Sequence, residues 1–122
     1  MLYDEATERV VAARDRFGIK PLFWTVVGEN STDRRLLIAA EAKAFLPLGW
    51  EPEWDVGGIV EAGWAMDDRT VFKGVRKVLP GCWMEVLSGG EIGHHRYWDI
   101  DYRDKVQFFR SSQSNIKMLT LE

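Results

Sequence analysis

The stretch Ala13-Arg14-Asp15-Arg16-Phe17-Gly18-Ile19-Lys20-Pro21-Leu22-Phe23 says most about the fold of this chain. Its charged middle part joins two apolar runs, residues 9–13 and 22–27, and contains Gly18 and Pro21. Glycine adopts positive φ angles at little cost, whereas proline fixes φ and lacks an N–H donor. The pattern therefore predicts a tight connection between two strands, a hairpin; residues 14–21 are called the hinge below.

Bulk properties limit the chain to one domain and exclude two classes of partner. The 122 residues are 46% hydrophobic, which is enough for a core, and the net charge of −3 argues against a nucleic-acid surface. No apolar run approaches the ~18 residues of a membrane span, and no signal peptide is visible at residues 1–5. Because Cys82 is the single cysteine, an internal disulfide and a Cys-based zinc site are excluded. We expect a cytoplasmic protein.

The remaining pattern predicts an α+β fold, mostly antiparallel β, with one or two short helices. Apolar runs indicate strands near residues 1–3, 10–13, 22–27, 36–40 and 71–72, and a hairpin from residues 82–87 and 92–98. The run 36–40 is typical of a strand buried on both faces. We predict a helix over residues 41–46 that Pro47 ends.

A second helix is predicted over residues 56–62, with Asp55 as its N-cap. Val56, Ile59 and Val60 form an apolar face on that helix. Residues 1–102 form the ordered part of this prediction, and we expect residues 103–122 to be a disordered tail.

Five segments, in this order along the chain, resemble class II glutamine amidotransferases, above all asparagine synthetases. The hinge is similar to the family's Ala-Arg-Asp-x-x-Gly-x-Lys-Pro-Leu segment. The other four are residues 40–46, where Ala40 replaces the usual Ser, and residues 69–75, 77–81 and 97–99. The motif positions, for which we expect structural roles, are Arg14, Asp15, Gly18, Lys20, Pro21, Glu41, Lys43, Gly74, Pro80, Gly81 and Trp98.

This resemblance implies the N-terminal-nucleophile hydrolase fold, an αββα sandwich of two antiparallel sheets between helical layers. The chain would be the later part of such a glutaminase domain, and its sandwich would be incomplete. In the intact family enzyme, ammonia from glutamine reaches a second domain, where ATP and Mg activate aspartate and asparagine is formed. Glutamine, aspartate and ATP are therefore the ligands expected of the whole enzyme.

We expect no catalytic, substrate-binding or metal-binding residue in this chain. The family nucleophile is an N-terminal cysteine whose free α-amine, with a pKa near 8, acts as its base. Here the chain starts Met1-Leu2, and the nitrogen of Cys82 is an amide. The segment Ser88-Gly89-Gly90-Glu91 is similar to the start of the family's ATP loop but lacks its Asp-Ser. We predict a hairpin turn there, and no ATP or Mg site.

Three other features have structural interpretations. His94 and His95 are adjacent on a strand and point to opposite faces, which disfavours a shared metal ion. Arg14-Asp15-Arg16 is typical of an ion-pair cluster that orders the hinge. The six tryptophans are spaced irregularly, which favours core packing over sugar stacking.

Two functional hypotheses follow, together with a weaker third. The chain is a fragment of an asparagine synthetase, inactive on its own. Alternatively, it is a short non-catalytic binding protein that pairs with the missing half of its sandwich, a synthetase subunit or another partner. The third hypothesis is a tryptophan-rich carbohydrate-binding module.

Overall fold

The computed structural model describes residues 1–28, 32–61 and 67–100, which form two antiparallel sheets and two short helices. The strands are β1 (Leu2–Asp4), β2 (Arg9–Ala13), β3 (Phe23–Val27), β4 (Arg35–Ala39), β5 (Arg76–Lys77), β6 (Cys82–Val86) and β7 (Ile92–Arg96). A 3₁₀ helix spans Ala42–Leu48, and α1 spans Val56–Glu61. The predicted mostly antiparallel α+β fold is confirmed, whereas the predicted tail over residues 103–122 lies outside the described residues.

The first sheet, sheet A, has the strand order β1-β2-β6-β7. Its centre pairs β2 with β6, where Ala13 lies opposite Trp83 and Val10 opposite Val86. The predicted hairpin of β6 and β7 is confirmed, with Cys82 opposite Arg96 and Val86 opposite Ile92. The turn between them closes through a hydrogen bond of 2.8 Å from the Gly90 N–H to the Leu87 carbonyl.

The second sheet, sheet B, has the order β4-β3-β5, and this order shows that the hairpin predicted for the hinge is wrong. β2 lies between β1 and β6, and β3 lies between β4 and β5, so neither strand has a free edge for the other. The hinge therefore carries the chain from sheet A to sheet B. Glycine and proline specify the local turn but not the strand with which the next segment pairs.

The core has two layers, one on each face of sheet B. Between the sheets, Ala12, Val78 and Met84 are buried, and side chains of both sheets pack around them. On the other face, Leu37, Phe45, Trp50 and Val75 are buried between sheet B and the 3₁₀ helix. Apolar burial on both faces of one sheet is typical of the middle layer of a sandwich.

β4 shows this double burial most clearly. Leu37 belongs to the cluster beneath the 3₁₀ helix, while Leu36 and Ile38 pack against the cluster between the sheets. Successive side chains of a strand point to opposite faces, so an uninterrupted apolar run serves both layers. The predicted strand with apolar contacts on both faces is confirmed in this sense, although Leu37 is the one residue of β4 that is buried and the others are partly or fully exposed.

The first helix extends further than predicted. It is a 3₁₀ helix that passes through Pro47 and ends at Gly49, which has a φ of 90° and donates its N–H to the Leu46 carbonyl. In such a short helix, proline removes a single hydrogen bond at the last turn. The prediction that Pro47 ends the helix is therefore wrong: the last helical residue is Leu48, two residues beyond the predicted end, and the left-handed Gly49 forms the cap.

The predicted N-cap of α1 is confirmed, but its apolar face is not buried by the described residues. Asp55 Oδ1 accepts a hydrogen bond of 2.9 Å from the Gly58 N–H. The exposed fractions of Val56, Ile59 and Val60 are 70%, 45% and 75%. Instead, Gly58 contacts the domain, and a Cβ there would lie 2.4 Å from the Thr70 carbonyl oxygen. The glycine side of α1 packs because it allows close backbone approach. The end predicted at residue 62 lies outside the described residues.

Among the described residues, no helix is both long and apolar enough to cross a membrane.

Candidate functional site

Three segments that are distant in sequence meet at one place, which we call the junction. It consists of the hinge, residues 78–81 and residues 97–98. Eight of the eleven motif positions belong to these segments, and seven of the eight make the contacts described below: Arg14, Asp15, Gly18, Lys20, Pro80, Gly81 and Trp98. The hinge residues follow β2, residues 78–81 precede β6, and residues 97–98 follow β7. Sheet A therefore brings these segments together at the same end of its strands.

Arg14 joins the two ends of the hinge to residue 78. Its Nε donates to the Lys20 carbonyl at 2.9 Å, and its Nη2 donates to the Gly18 carbonyl at 2.8 Å. Its Nη1 donates to the Val78 carbonyl at 2.9 Å. The planar guanidinium has donors in a fixed fork, so one side chain fixes three carbonyls whose directions differ.

Asp15 holds the inside of the hinge. Its carboxylate accepts three backbone hydrogen bonds of 3.0 to 3.1 Å, from the N–H groups of Phe17, Ile19 and Lys20. These bonds, that from Ile19 above all, hold the pKa of Asp15 below its ordinary value. The hinge is thus ordered by hydrogen bonds to its own backbone, and the ion-pair cluster predicted for Arg14-Asp15-Arg16 is replaced by this arrangement.

Two glycines allow the segments to approach each other closely. Gly18 has a φ of 64°, and a Cβ there would lie 2.7 Å from Pro80 Cγ. Gly81 has a φ of 65°, and a Cβ there would lie 2.4 Å from the Trp98 carbonyl oxygen. The Gly81 N–H also donates to the Asp15 carbonyl at 3.0 Å. Both positions therefore combine a left-handed backbone with a space that no side chain can occupy.

Residues 97–98 cover the junction from the other side. The N–H groups of Tyr97 and Trp98 both donate to the Gly81 carbonyl, at 2.9 and 3.1 Å. The Tyr97 hydroxyl donates to the Arg14 carbonyl at 2.7 Å. The Trp98 ring meets the Phe17 ring edge-on at 5.2 Å, and the Arg16 guanidinium lies 6.0 Å from the Trp98 ring. Sequence reasoning gave no role to the Tyr97 hydroxyl or the Val78 carbonyl, because nothing local signals either contact.

The other four motif positions lie outside this set of contacts. Pro21 is exposed, two residues before β3. Glu41 and Lys43 form an exposed ion pair of 2.6 Å at the start of the 3₁₀ helix, which lowers the pKa of Glu41 and raises that of Lys43. Gly74 has a φ of 71°, and its carbonyl accepts a 2.9 Å hydrogen bond from the buried Thr25 hydroxyl.

A cleft of about 420 Å³ opens beside the junction. It is lined by Arg16, Phe17, Leu79, Pro80, Arg96, Trp98, Asp99 and Ile100, and Arg96 pairs with Asp99. These residues include no thiol, hydroxyl or imidazole. Cys82 packs in the core between the sheets, and its backbone N–H donates to the Leu79 carbonyl at 3.1 Å. Among the described residues, the surroundings of the junction thus offer an open cleft but no nucleophile with an amine base.

A second, apolar cavity of about 520 Å³ lies at the side of the molecule where sheet A ends in β1 and sheet B ends in β4. We call it the edge cavity. Its lining comes from β4, from sheet A and from the 3₁₀ helix: Met1, Tyr3, Val10, Leu36, Leu37, Ile38, Ala39, Ala44, Phe45, Leu48 and Val86. Sequence reasoning did not anticipate it.

The two histidines diverge as predicted. The His94 ring lies 5.5 Å from the Trp24 ring, while the His95 ring stacks on Trp83 at 4.2 Å. His95 Nε2 lies 2.8 Å from Glu85 Oε1. In the part of the chain that the structure describes, no three potential metal ligands of the His, Cys, Asp or Glu type lie together.

Comparison with known families decides the class of the chain. Residues 1–98 match the family described as "Glutamine amidotransferase domain". The chain belongs to the glutamine amidotransferase domain family. The match includes every motif position named above and ends at Trp98, the residue that covers Gly81.

Curated relatives refine this result. The chain is 42% identical to "Amidase chry2" of Gibberella zeae, over 86% of this chain and 15% of the relative. It is 39% identical to "Amidase chyE" of Penicillium rubens, over 95% of this chain and 16% of the relative. It is 28% identical to "Asparagine synthetase [glutamine-hydrolyzing] 3" of Bacillus subtilis, over 97% of this chain and 19% of the relative. The chain thus spans less than a fifth of each relative, and these matches support the amidotransferase family, not asparagine synthetase specifically.

Proposed function

We propose that this chain is the scaffold part of a glutamine amidotransferase domain, and that the complete domain releases ammonia from the side-chain amide of glutamine. The observation that carries the proposal is the junction. Motif residues of the family meet there in a closed set of hydrogen bonds that fixes the hinge to sheet A. Such a set provides rigid support and leaves the chemistry to residues elsewhere.

The nucleophile in this proposal comes from outside residues 1–98. A cysteine that uses its own α-amine as base needs a free amino group. The backbone nitrogen of Cys82 is a hydrogen-bonded amide, and its side chain packs in the core between the sheets. We therefore expect the purified chain to release no more glutamate from glutamine than a heat-treated sample. Release well above that control would contradict the proposal.

The acceptor of the ammonia is the finer part of the proposal. The name of the Bacillus subtilis relative describes glutamine hydrolysis coupled to asparagine synthesis. By that analogy the whole protein would use aspartate and ATP, with ATP and Mg held in a separate synthetase domain. The relatives of higher identity are named amidases. Their names support an amide as the substrate of the whole protein, but they do not support asparagine as its product. Chemistry at an amide group is what the amidase names and the glutamine-hydrolysing name have in common.

A segment exchange tests the scaffold role. Residues 1–98 of this chain replace the matched stretch of the Bacillus subtilis enzyme, and two activities are measured. Glutamate release from glutamine reports the amidotransferase domain, whereas asparagine formation from ammonium salt reports the folded remainder. We expect both to persist, and we expect Arg14→Ala to reduce the first alone. A chimera that uses ammonium but releases no glutamate would refute the proposal.

A second candidate is a non-catalytic binding protein that pairs with a synthetase subunit. The observation that favours it is the edge cavity, because an open apolar surface of this kind is typical of an interaction site. Tight binding of the isolated chain to an intact synthetase, without any effect of the segment exchange on glutamine hydrolysis, would select this candidate.

A further inference from the structure

The edge cavity lies beside β4 in the plane of sheet B. Leu36 and Ile38 point to one face of the strand, and Leu37 and Ala39 point to the other, yet all four line the same cavity. Residues of both faces border one space when that space lies off the edge of the strand. The cavity therefore occupies the place where a further strand of the sheet would lie.

On this side the backbone of β4 has no strand partner among the described residues. Within the described residues β4 pairs with β3 alone and forms the end of sheet B. In an antiparallel pair, every second residue points its N–H and C=O away from the partner. A row of such groups at a sheet edge is a template for an added strand.

The walls of the cavity define the side chains of this strand. On the side of sheet A the wall consists of Tyr3, Val10 and Val86, and on the other side it consists of Ala44, Phe45 and Leu48. The Tyr3 hydroxyl is the one polar side-chain group in the lining. An incoming strand would thus meet apolar surface above and below, and a strand with a polar face would leave that face unpaired.

We propose that an extended strand, apolar on both faces, adds to the free edge of β4, and that it comes from a part of the glutamine amidotransferase domain outside this chain. The source of the strand rests on the function proposed above, whereas the strand site itself rests on the cavity. The added strand makes main-chain hydrogen bonds to β4, and its alternate side chains extend both core layers. Leu48, 45% exposed here, becomes covered.

A peptide experiment tests the strand site in the chain as it stands. The probe is a capped, fluorescently labelled peptide, Lys-Val-Leu-Val-Leu-Val-Lys, and its control is the same peptide N-methylated at alternate amides. We expect the first peptide to bind saturably. The N-methylated peptide cannot donate the main-chain hydrogen bonds, so we expect its affinity to be lower by a factor of about ten or more. Equal binding of both would show a non-specific apolar pocket and overturn the proposal. Self-association that blocks the peptide would assign the edge to a second copy and overturn it too.

A pair of matched variants tests the source of the strand. Leu48 and Leu46 lie on the same 3₁₀ helix with exposed fractions of 45% and 49%, and Leu48 alone lines the edge cavity. In the Bacillus subtilis chimera we expect Leu48→Lys to lower the melting temperature clearly, and Leu46→Lys to leave it nearly unchanged. Equal shifts would mean that the domain does not cover the cavity. Since this readout is a temperature, it is independent of glutamine hydrolysis and separates the failure of this proposal from the failure of the proposed function.

Discussion

The junction and the edge cavity differ in how their backbone and side-chain groups find partners. At the junction, Arg14 and Asp15 alone account for six hydrogen bonds to backbone groups, and two glycines leave no free space. At the edge cavity, β4 has one strand partner among the described residues, and apolar side chains surround an open volume of about 520 Å³. The comparison teaches that the hydrogen-bonding groups of the junction are paired within residues 1–98, whereas the edge cavity is still open among the described residues.

We expect the largest loss of stability from a substitution that disrupts the junction at Gly81. The substitution Gly81→Ala forces a φ of 65° on alanine and places its Cβ 2.4 Å from a carbonyl oxygen. We expect the free energy of unfolding to fall by about 2–4 kcal/mol, measured by urea titration. The matched control is Gly90→Ala, which has a φ of 78° but no atom within 4 Å of the new Cβ. That variant should lose about 1 kcal/mol, and equal losses would remove close approach as the cause.

The next effect concerns the guanidinium of Arg14. The substitution Arg14→Lys keeps the charge but cannot reach three carbonyls in different directions. We expect a loss of about 2–3 kcal/mol in unfolding free energy, because partly buried carbonyls lose their donors. Arg16→Lys is the control, since Arg16 is exposed and contacts a ring face. If both variants were equally stable, the fork of hydrogen bonds would not hold the hinge.

A smaller effect should appear as pH dependence. The folded-state pKa of Asp15 is lowered, so its contribution to stability is complete above the unfolded pKa of about 4 and is lost as the pH falls through the folded value. We expect the difference in unfolding free energy between the parent chain and Asp15→Asn to be largest near pH 6 and to shrink towards pH 3. A difference that stays constant over this range would show that the carboxylate charge has no part in ordering the hinge.

The smallest effect belongs to the edge cavity. Tyr3 is 61% exposed at its mouth, so Tyr3→Ser should change the unfolding free energy of the isolated chain by less than about 0.5 kcal/mol. The same change in the complete chimera should cost more, because the position is then covered. A large loss in the isolated chain would mean that this edge is already complete and would weaken the contrast with the junction.

The sequence predicts the strands better than it predicts their partners. Apolar runs and turn residues are local signals, and they place β2, β3, β4 and the β6–β7 hairpin to within a residue or two. Which sheet a strand joins depends on residues far away in the sequence, and β2 and β3 join different sheets. The hairpin predicted for the hinge is wrong for this reason. The apolar face of α1 is exposed among the described residues, and the side that packs is that of Gly58, because this glycine allows close approach to the Thr70 carbonyl.

The candidate site shows the same limit. Its motif residues could be named from the resemblance, but their meeting point could not be predicted. Arg14 Nη1 binds the carbonyl of a residue 64 positions away, and the backbone carbonyl of Val78 has no signature in the sequence. The edge cavity was equally hidden, since it results from the ends of two sheets lying on the same side.

The passage of the hinge from one sheet to the other has a consequence for the order of folding. β3 and β4 are neighbours in sequence and in sheet B, whereas the β2–β6 pairs of sheet A, from Ala13–Trp83 to Val10–Val86, join residues 70 to 76 positions apart. The loop that sheet A must close therefore contains all of sheet B. Closing so long a loop is slower than pairing adjacent strands, because more chain entropy is lost before the first contact forms. During synthesis on the ribosome, sheet B would therefore form before β6 has been made. Until β6 pairs with β2, the apolar faces of β1 and β2 would stay exposed to chaperones and to other chains.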